Sequence, residues 1–97
     1  MIDSFRNKST EDLFNVKSTR AARQTCPEIL WKVARRKLNA INAAVRLKDL
    51  RVPRGKELKS LKGDRAGQHS IRINDQYRVC FVWSDAGAQQ VEVADYH

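Results

Sequence analysis

The fold is decided by one stretch of the sequence, Ser70-Ile71-Arg72-Ile73-Asn74-Asp75-Gln76-Tyr77-Arg78-Val79-Cys80-Phe81-Val82-Trp83. Apolar and polar residues alternate on both sides of the polar triplet 74–76, which is typical of two antiparallel strands joined by a short loop. A third alternating run, 91–94, follows the turn-forming residues 85–87. The second half of the chain is therefore predicted to be a β-meander. Residues 2–5 also alternate, which is compatible with a short edge strand.

The length of the first loop determines which side chains share a face of this hairpin. A three-residue loop places Arg72 directly opposite Arg78, whereas a two-residue loop would put the two arginines on opposite faces. Like charges in direct opposition are destabilising unless an anion lies between them. A bound phosphate would satisfy both arginines. The alternative is that each arginine pairs with a local acid: Asp75, Asp85 or Glu92.

The first half of the chain is predicted to be helical. Ser9 or Thr10 can cap a short first helix. Thr25 and Glu28 have the spacing of a capping box, and Pro27 suits the first turn of a longer basic helix. The apolar residues of this helix recur at steps of three and four and form one stripe, which predicts packing against an apolar surface. The stripe consists of Leu30, Val33, Ala34, Leu38, Ile41 and Val45.

Size and charge restrict the function classes. The 97 residues are predicted to form one domain, 1–97, with a single core. Nineteen Lys and Arg against eleven Asp and Glu give a net charge of +8, which favours nucleic acid, the ribosome or an acidic protein as partner. There is neither a signal peptide nor an apolar run long enough to span a membrane, so a cytoplasmic location is expected. Cys26 and Cys80 are too far apart to indicate a metal cluster or a disulfide framework.

The last three residues combine groups that suit proton transfer. Asp95, Tyr96 and His97 provide a carboxylate, a phenol and an imidazole. A histidine with an ordinary pKa of about 6.5 serves as acid or base at neutral pH. A frayed terminus is the alternative interpretation. On so basic a chain, the terminal set favours chemistry on a bound polyanion and suggests RNA cleavage.

Residues 61–81 read Leu-Lys-Gly-Asp-Arg-Ala-Gly-Gln-His-Ser-Ile-Arg-Ile-Asn-Asp-Gln-Tyr-Arg-Val-Cys-Phe, and the chain ends in Asp-Tyr-His. Together these two stretches resemble the HigB-type toxins of the RelE superfamily, especially their GraT branch. Residues 1–5 and the long basic helix also fit, so the resemblance covers essentially the whole chain. It implies an α+β domain of the RelE-like, microbial-RNase type, with an antiparallel β-sheet packed against two N-terminal helices. It also implies a toxin of a type II toxin–antitoxin system.

The activity implied by this resemblance is ribosome-dependent cleavage of mRNA, which inhibits translation and growth. A ribose 2′-OH attacks the adjacent phosphate and leaves a 2′,3′-cyclic phosphate and a 5′-OH, with no metal or other cofactor. Arg78 matches the family's arginine on the catalytic face and is expected to stabilise charge. Asp95, Tyr96 and His97 match its terminal acid, phenol and imidazole, with His97 as the preferred acid or base. The residues expected to bind RNA are Lys59, Lys62 and Arg72.

Other residues have structural interpretations or depart from the family pattern. Lys59 stands where many HigB toxins carry a catalytic histidine, and a protonated lysine is a poor base at neutral pH, so cleavage is expected to be slow. The lysines at 59 and 62, taken alone, also suit a merely solvated face. His69 matches no catalytic residue of the family and is expected to end a strand. Trp31 and Trp83 are expected to pack in the core.

The resemblance implies three partners: the ribosome, its mRNA and a cognate helix-turn-helix antitoxin of the HigA or GraA type. Operator DNA would be contacted only through the antitoxin complex, and no membrane contact is expected. The alternative function is a noncatalytic growth inhibitor that binds ribosomal RNA and affects ribosome function or assembly. Phosphate binding of that kind requires Arg and Lys but not His97.

Overall fold

Four antiparallel strands form one sheet in sequence order, and helices cover one of its faces. The computed structural model describes residues 1–51 and 58–95; Tyr96 and His97 lie outside the described residues. The helices are α1 (Lys8–Phe14), α2 (Arg20–Arg23) and α3 (Trp31–Ala43), and the strands are β1 (Lys59–Ser60), β2 (His69–Arg72), β3 (Tyr77–Ser84) and β4 (Gly87–Asp95). The predicted meander and α+β class are confirmed. Strand β1 was not predicted, because two exposed residues carry no periodicity.

The register of β2 and β3 agrees with the three-residue loop. Ile71 is the partner of Val79, and Arg72 is the partner of Arg78. Asn74 stabilises the loop, because its side-chain oxygen accepts hydrogen bonds from the backbone N–H groups of residues 76 and 77, at 2.9 and 2.7 Å. The two arginines therefore occupy facing positions on one side of the sheet.

The core lies between the other side of the sheet and the helices. Fully buried side chains of β2 and β3 meet the apolar stripe of α3 there, and each such side chain contributes about 1.5–3 kcal/mol by removal from water. Trp31 is buried in this core and donates from Nε1 to the Cys26 carbonyl, at 3.0 Å. Trp83 packs against the core from β3, so both tryptophan predictions are confirmed. The two cysteines, Cys26 and Cys80, are buried and free.

The long helix is shorter at both ends than the sequence pattern predicts. Val45 was placed on the apolar stripe, but it is 83% exposed because α3 ends at Ala43. A 3₁₀ turn, Leu47–Arg51, follows the helix. Asp49 Oδ2 of this turn accepts hydrogen bonds from the backbone N–H groups of Val45 and Arg46, both at 3.0 Å. At the other end, Thr25 forms no capping box, since its hydroxyl donates to the Ala22 carbonyl at 2.7 Å.

The predicted start of the long helix at Pro27 is also wrong. Pro27 precedes a 3₁₀ turn, Glu28–Leu30, rather than occupying the first turn of an α-helix. Leu30 and Val33 are partly buried, so the stripe still faces the core along Trp31–Ala43.

The first helix is capped two or three residues earlier than predicted. Asn7, rather than Ser9 or Thr10, accepts a hydrogen bond from the Thr10 backbone N–H, at 3.0 Å. Thr10 itself is fully buried, and its hydroxyl accepts from the backbone N–H of Val93 at 3.0 Å. A side chain of α1 therefore accepts a hydrogen bond from a backbone N–H of β4.

The N-terminal segment, residues 1–6, covers the remaining edge of β4. Ile2 and Phe5 form isolated parallel bridges with β4, which agrees with the predicted edge-strand character of residues 2–5. The Val91 N–H donates to the Ser4 carbonyl at 3.1 Å, so backbone groups that would otherwise be an open edge are paired. Gly87 permits this approach, because a Cβ there would lie 2.1 Å from the Met1 carbonyl oxygen.

Asp12 joins α1 to α2. The carboxylate is buried and receives hydrogen bonds from Lys8 Nζ at 2.9 Å and from the Thr19 hydroxyl at 2.7 Å. Thr19 is in turn the N-cap of α2 and accepts from the Ala22 N–H. The hydrogen bonds from Thr19 and Lys8 lower the pKa of Asp12 below its ordinary value.

No helix within residues 1–51 and 58–95 has the length and apolar character needed to cross a membrane. The longest of them, α3, has 13 residues.

Replacing Thr10 by valine tests the link between α1 and β4. Thr10→Val keeps the shape but leaves the buried Val93 N–H without its acceptor, which should lower the free energy of unfolding by about 1–3 kcal/mol. Thr10→Ser keeps the hydroxyl and should cost only about 0.8 kcal/mol, the value of one buried methylene-sized group. Urea denaturation measures both. A serine variant less stable than the valine variant would contradict this role of the hydroxyl.

Replacing Asp12 by asparagine tests the buried carboxylate through pH. Because the folded-state pKa lies below the unfolded value of about 3.9, the ionised group stabilises the fold fully above that value. The contribution is lost as the pH falls through the folded-state pKa. Asp12→Asn should therefore be less stable than the wild type at neutral pH, and the difference should narrow in acid. The midpoints of urea denaturation, measured from acid to neutral pH, give the difference in stability. Asp85→Asn in the exposed β3–β4 turn is the control. A difference between Asp12→Asn and the wild type that does not change with pH would contradict the stabilising role of the ionised carboxylate.

Candidate active site

The sheet face turned away from the helices, here called the outer face, carries three of the seven predicted site residues: Lys59, Arg72 and Arg78. The strand register places one row of residues across all four strands: Lys59, Ser70, Cys80 and Glu92. The adjacent row consists of Arg72, Arg78 and Ala94. Period-two alternation explains this division, since the apolar partners of the same strands point to the core.

Arg78 is the most enclosed cation of the outer face. The residue is only 8% exposed, and its Nε donates to the Ser70 hydroxyl at 2.7 Å. Arg72, on the facing position, forms an ion pair with Asp75 in the adjoining loop. For Arg72, the local-acid alternative is therefore what the structure shows. Both guanidinium groups have bonding partners on neighbouring residues, so their positions are set before any substrate arrives.

The loop formed by residues 61–68 lies over the outer face. Leu61 packs with Cys80 of β3 and Ala94 of β4, which brings the loop across the sheet. The Leu61 N–H donates to the Gln68 carbonyl at 2.9 Å and closes the loop. Lys62 is exposed and directly precedes the 3₁₀ turn Gly63–Arg65. The predicted RNA-binding residue Lys62 is thus carried by a structured loop beside the arginine row.

A second group of charges surrounds Glu92. Its carboxylate lies 2.8 Å from Arg65 Nη1 and 3.7 Å from Arg6 Nη1. Burial raises the pKa of the neighbouring Cys80 thiol. Positive charge from Arg65, Arg78 and Arg6 opposes this rise in pKa, whereas Glu92 adds to it. Cys80 thus lies beside Glu92 in the sheet, next to the ion pairs that Glu92 forms with Arg65 and Arg6.

Sequence reasoning missed Arg65 and Ser70 as parts of this site, and considered Glu92 only as a possible partner of the facing arginines. The alternation of β2 and β4 could have placed Ser70 and Glu92 on the outer face. The ion pair to Arg65 depends on the loop folding back over the sheet, and it joins residues 27 positions apart.

Asp95 lies at the end of β4, apart from the arginine row. Its partner across the ladder is Tyr77, whereas Ala94 is the partner of Arg78. Asp95 Oδ2 accepts a hydrogen bond from Gln76 Nε2 at 3.0 Å. The β2–β3 loop therefore contacts the strand end from which the chain continues to Tyr96 and His97, which lie outside the described residues.

His69 lies on the opposite side of the sheet from the arginines. Its ring packs against Phe81 with 6.1 Å between centroids, and its Nδ1 is 3.4 Å from the Ser60 hydroxyl. Burial lowers the pKa of His69, and the positive charge of Arg51 lowers it further. The residue begins strand β2 rather than ending a strand, and these contacts support a structural role.

The outer face suits the binding of a phosphodiester. Its guanidinium groups supply charge and directed donors to phosphate oxygens. Among the residues that the structure describes, no three His, Cys, Asp or Glu side chains are grouped as metal ligands. Of the proton-transfer groups predicted from the sequence, Asp95 is the last residue of β4, and Tyr96 and His97 follow it in the chain.

Comparison with known proteins gives the chain its family. The sequence model of a family described as "RelE-like toxin of type II toxin-antitoxin system HigB" matches residues 3–97. Toxin HigB-1 of Vibrio cholerae serotype O1 is 45% identical over 53 residues, which are 55% of this chain and 56% of that toxin. An uncharacterised protein of Haemophilus influenzae is 37% identical over 59 residues, which are 61% of this chain and 58% of that protein.

A structural comparison agrees at the level of the fold. The YoeB–YefM complex from Staphylococcus aureus contains a chain that matches with a TM-score of 0.60 and 15% identity, covering 100% of this chain and 98% of that one. At this identity, the match concerns the fold alone. The family match extends along nearly the whole sequence, and the outer-face residues lie inside it. The chain belongs to the HigB-like family of RelE-like toxins of type II toxin–antitoxin systems.

Proposed function

We propose that this protein is a toxin that cleaves mRNA on the ribosome and thereby inhibits translation and growth. The observation that carries the proposal is the direct opposition of Arg72 and Arg78 on a cationic sheet face. Two arginines in facing positions can bind the same phosphate through charge-assisted hydrogen bonds, with Arg72 exchanging Asp75 for a phosphate oxygen. A single-stranded mRNA held in the decoding site is the substrate that fits this arrangement and the family.

In the proposed reaction, a ribose 2′-OH attacks the adjacent phosphate, and the bond to the leaving 5′-oxygen breaks. Arg78 stabilises the charge that grows on the phosphorane, and its fixed hydrogen bond to Ser70 limits the reorganisation needed. His97 takes or supplies the transferred proton, and Asp95 orients His97 or a neighbouring cation. Tyr96 stacks on a base or shares the proton transfer. The products are a 2′,3′-cyclic phosphate and a 5′-OH.

The remaining cations bind the RNA backbone. Lys59 lies in the outer-face row beside Ser70, and Lys62 lies in the loop above it. These lysines contribute electrostatic affinity that falls with salt and carries no base preference. A protonated Lys59 cannot replace a catalytic imidazole as a base, so the proposed enzyme is slow.

A cognate antitoxin is the proposed neutralising partner. Support comes from the family, whose description places it in toxin–antitoxin systems, and from the staphylococcal structure, whose title names a YoeB–YefM complex. We propose a helix-turn-helix antitoxin that contacts operator DNA on behalf of the complex. The toxin itself works in the cytoplasm, where ribosomes are found.

Cleavage of a defined mRNA tests the active-site assignment. His97→Ala should lower the cleavage rate about 10²–10⁴-fold, the usual contribution of general acid–base catalysis. Arg78→Ala should also lower it, because the phosphorane loses its nearest buried cation. Primer extension with purified protein, with and without programmed ribosomes, measures the cuts.

The matched control is Lys32→Ala, which removes one exposed cation from α3 on the other side of the sheet. This variant should cleave at the wild-type rate. Cuts by folded His97→Ala and Arg78→Ala variants at wild-type rates would contradict the proposed site. Soluble wild-type protein that binds ribosomes and never cuts mRNA would favour the noncatalytic inhibitor instead.

Introducing an imidazole at position 59 tests the origin of slow cleavage. Lys59→His should preserve or raise the cleavage rate, because a neutral histidine can act as a base where a protonated lysine cannot. Lys59→Ala is the comparison that removes the cation without adding a base. Single-turnover cleavage of the same mRNA measures all three proteins. A histidine variant that cleaves no faster than the alanine variant would rule out a missing base as the limit.

A further inference from the structure

The Glu92 carboxylate is enclosed on the outer face by two cations from distant parts of the chain. Its side chain is 12% exposed. Arg65 comes from the 61–68 loop, and Arg6 comes from the N-terminal segment. Burial of a carboxylate is costly unless it is paired, and this pairing draws both segments toward β4. Glu92 is therefore a tethering point for the loop that carries Lys62.

The contact reaches Lys62 through two short steps. Arg65 Nη1 donates to Glu92 Oε1 at 2.8 Å and to Gln68 Oε1 at 3.1 Å, so one guanidinium group joins the loop's end to β4. The Arg65 backbone N–H donates to the Lys62 carbonyl at 3.3 Å across the 3₁₀ turn. Displacement of Arg65 would therefore move the backbone of Lys62.

A second contact holds the same loop and determines how far a variant can disturb it. Leu61 is packed against Cys80 and Ala94, and the Leu61 N–H closes the loop on Gln68. Loss of the Arg65–Glu92 ion pair should therefore release the turn that carries Lys62 while the base of the loop stays in place. The fold survives, and only the position of the lysine becomes less defined.

We propose that Glu92 is a positioning residue that, through Arg65, holds Lys62 over the RNA-binding face; this inference rests on the proposed function. This positioning role and a simple charge effect predict opposite changes in RNA affinity when Glu92 is removed. A carboxylate beside a phosphate site repels RNA, so electrostatics alone predicts that Glu92→Ala binds RNA more tightly. Positioning predicts weaker binding and slower cleavage, because a group misplaced by about 1 Å can cost up to 10²-fold.

A double-mutant cycle tests the proposal. Glu92→Ala, Lys62→Ala and Arg72→Ala are made singly, and each lysine or arginine variant is also combined with Glu92→Ala. Two quantities are measured for each: the rate of ribosome-dependent mRNA cleavage and the Kd for a fluorescein-labelled single-stranded RNA. Glu92→Ala should lower cleavage about 10- to 100-fold. In the Glu92→Ala background, Lys62→Ala should change the cleavage rate and the Kd by less than about twofold further. Arg72→Ala should change both by as much in this background as it does alone.

Controls separate positioning from folding and from catalysis. Urea denaturation must show a cooperative transition for each variant, and Glu28→Ala removes an exposed acid from the helical side and should leave both readouts unchanged. Glu92→Gln keeps a hydrogen-bond acceptor for Arg65 and should fall between the wild type and Glu92→Ala. A shift in the pH dependence of cleavage for Glu92→Gln would identify a proton-transfer role and overturn the proposal.

The two readouts distinguish the failure of this inference from failure of the proposed function. Additive effects of Glu92→Ala and Lys62→Ala in both readouts overturn the positioning role, as does tighter RNA binding by Glu92→Ala. A wild-type protein that binds RNA without cutting it refutes the proposed cleavage, while a non-additive cycle in Kd still supports positioning. A wild-type protein that neither binds nor cuts RNA overturns both.

Discussion

The pairing register of β2 and β3 is the constraint on which the rest of the structure depends. Ile71 opposite Val79 builds the core face, and the same register necessarily sets Arg72 opposite Arg78 on the outer face. A slip by one residue in this pairing would put the two arginines on opposite faces, so that one arginine would face α3 and one apolar side chain would be exposed. Fold stability and the cationic face are thus products of one hairpin, and the Asn74 loop that sets its register matters to both.

Charged groups in this protein are buried only together with specific partners. Asp12 is held by Lys8 and Thr19 in the helical layer, and Glu92 is held by Arg65 and Arg6 on the outer face. Each pairing adds a polar link between segments that also meet through apolar contacts. The polar contacts therefore supplement the compaction that the core provides.

Membership of the HigB-like family and the geometry of the outer face support each other. The family match covers residues 3–97, and the structure places Lys59 and Arg78 on one face with Lys62 in the loop above it. In the proposed reaction, Lys59 is the departure of chemical consequence, since it provides charge where an imidazole would provide a base. The outer face is richer in cations than in proton-transfer groups, so the proposed reaction takes its proton-transfer groups from the chain end.

The sequence by itself determined the meander, and it made the facing of Arg72 and Arg78 depend on a three-residue loop, because alternation and loop length act between neighbouring residues. It also located Lys59 and Arg78 as site candidates through their positions in the family pattern, and Arg72 through its place opposite Arg78 in the hairpin. Tertiary structure alone decided that Asn7 caps α1, that α3 ends before Val45, and that Arg65 binds Glu92. Those outcomes depend on competition among equally suitable local groups and on contacts between distant segments. Such contacts form only once the chain has folded, and no local spacing encodes them.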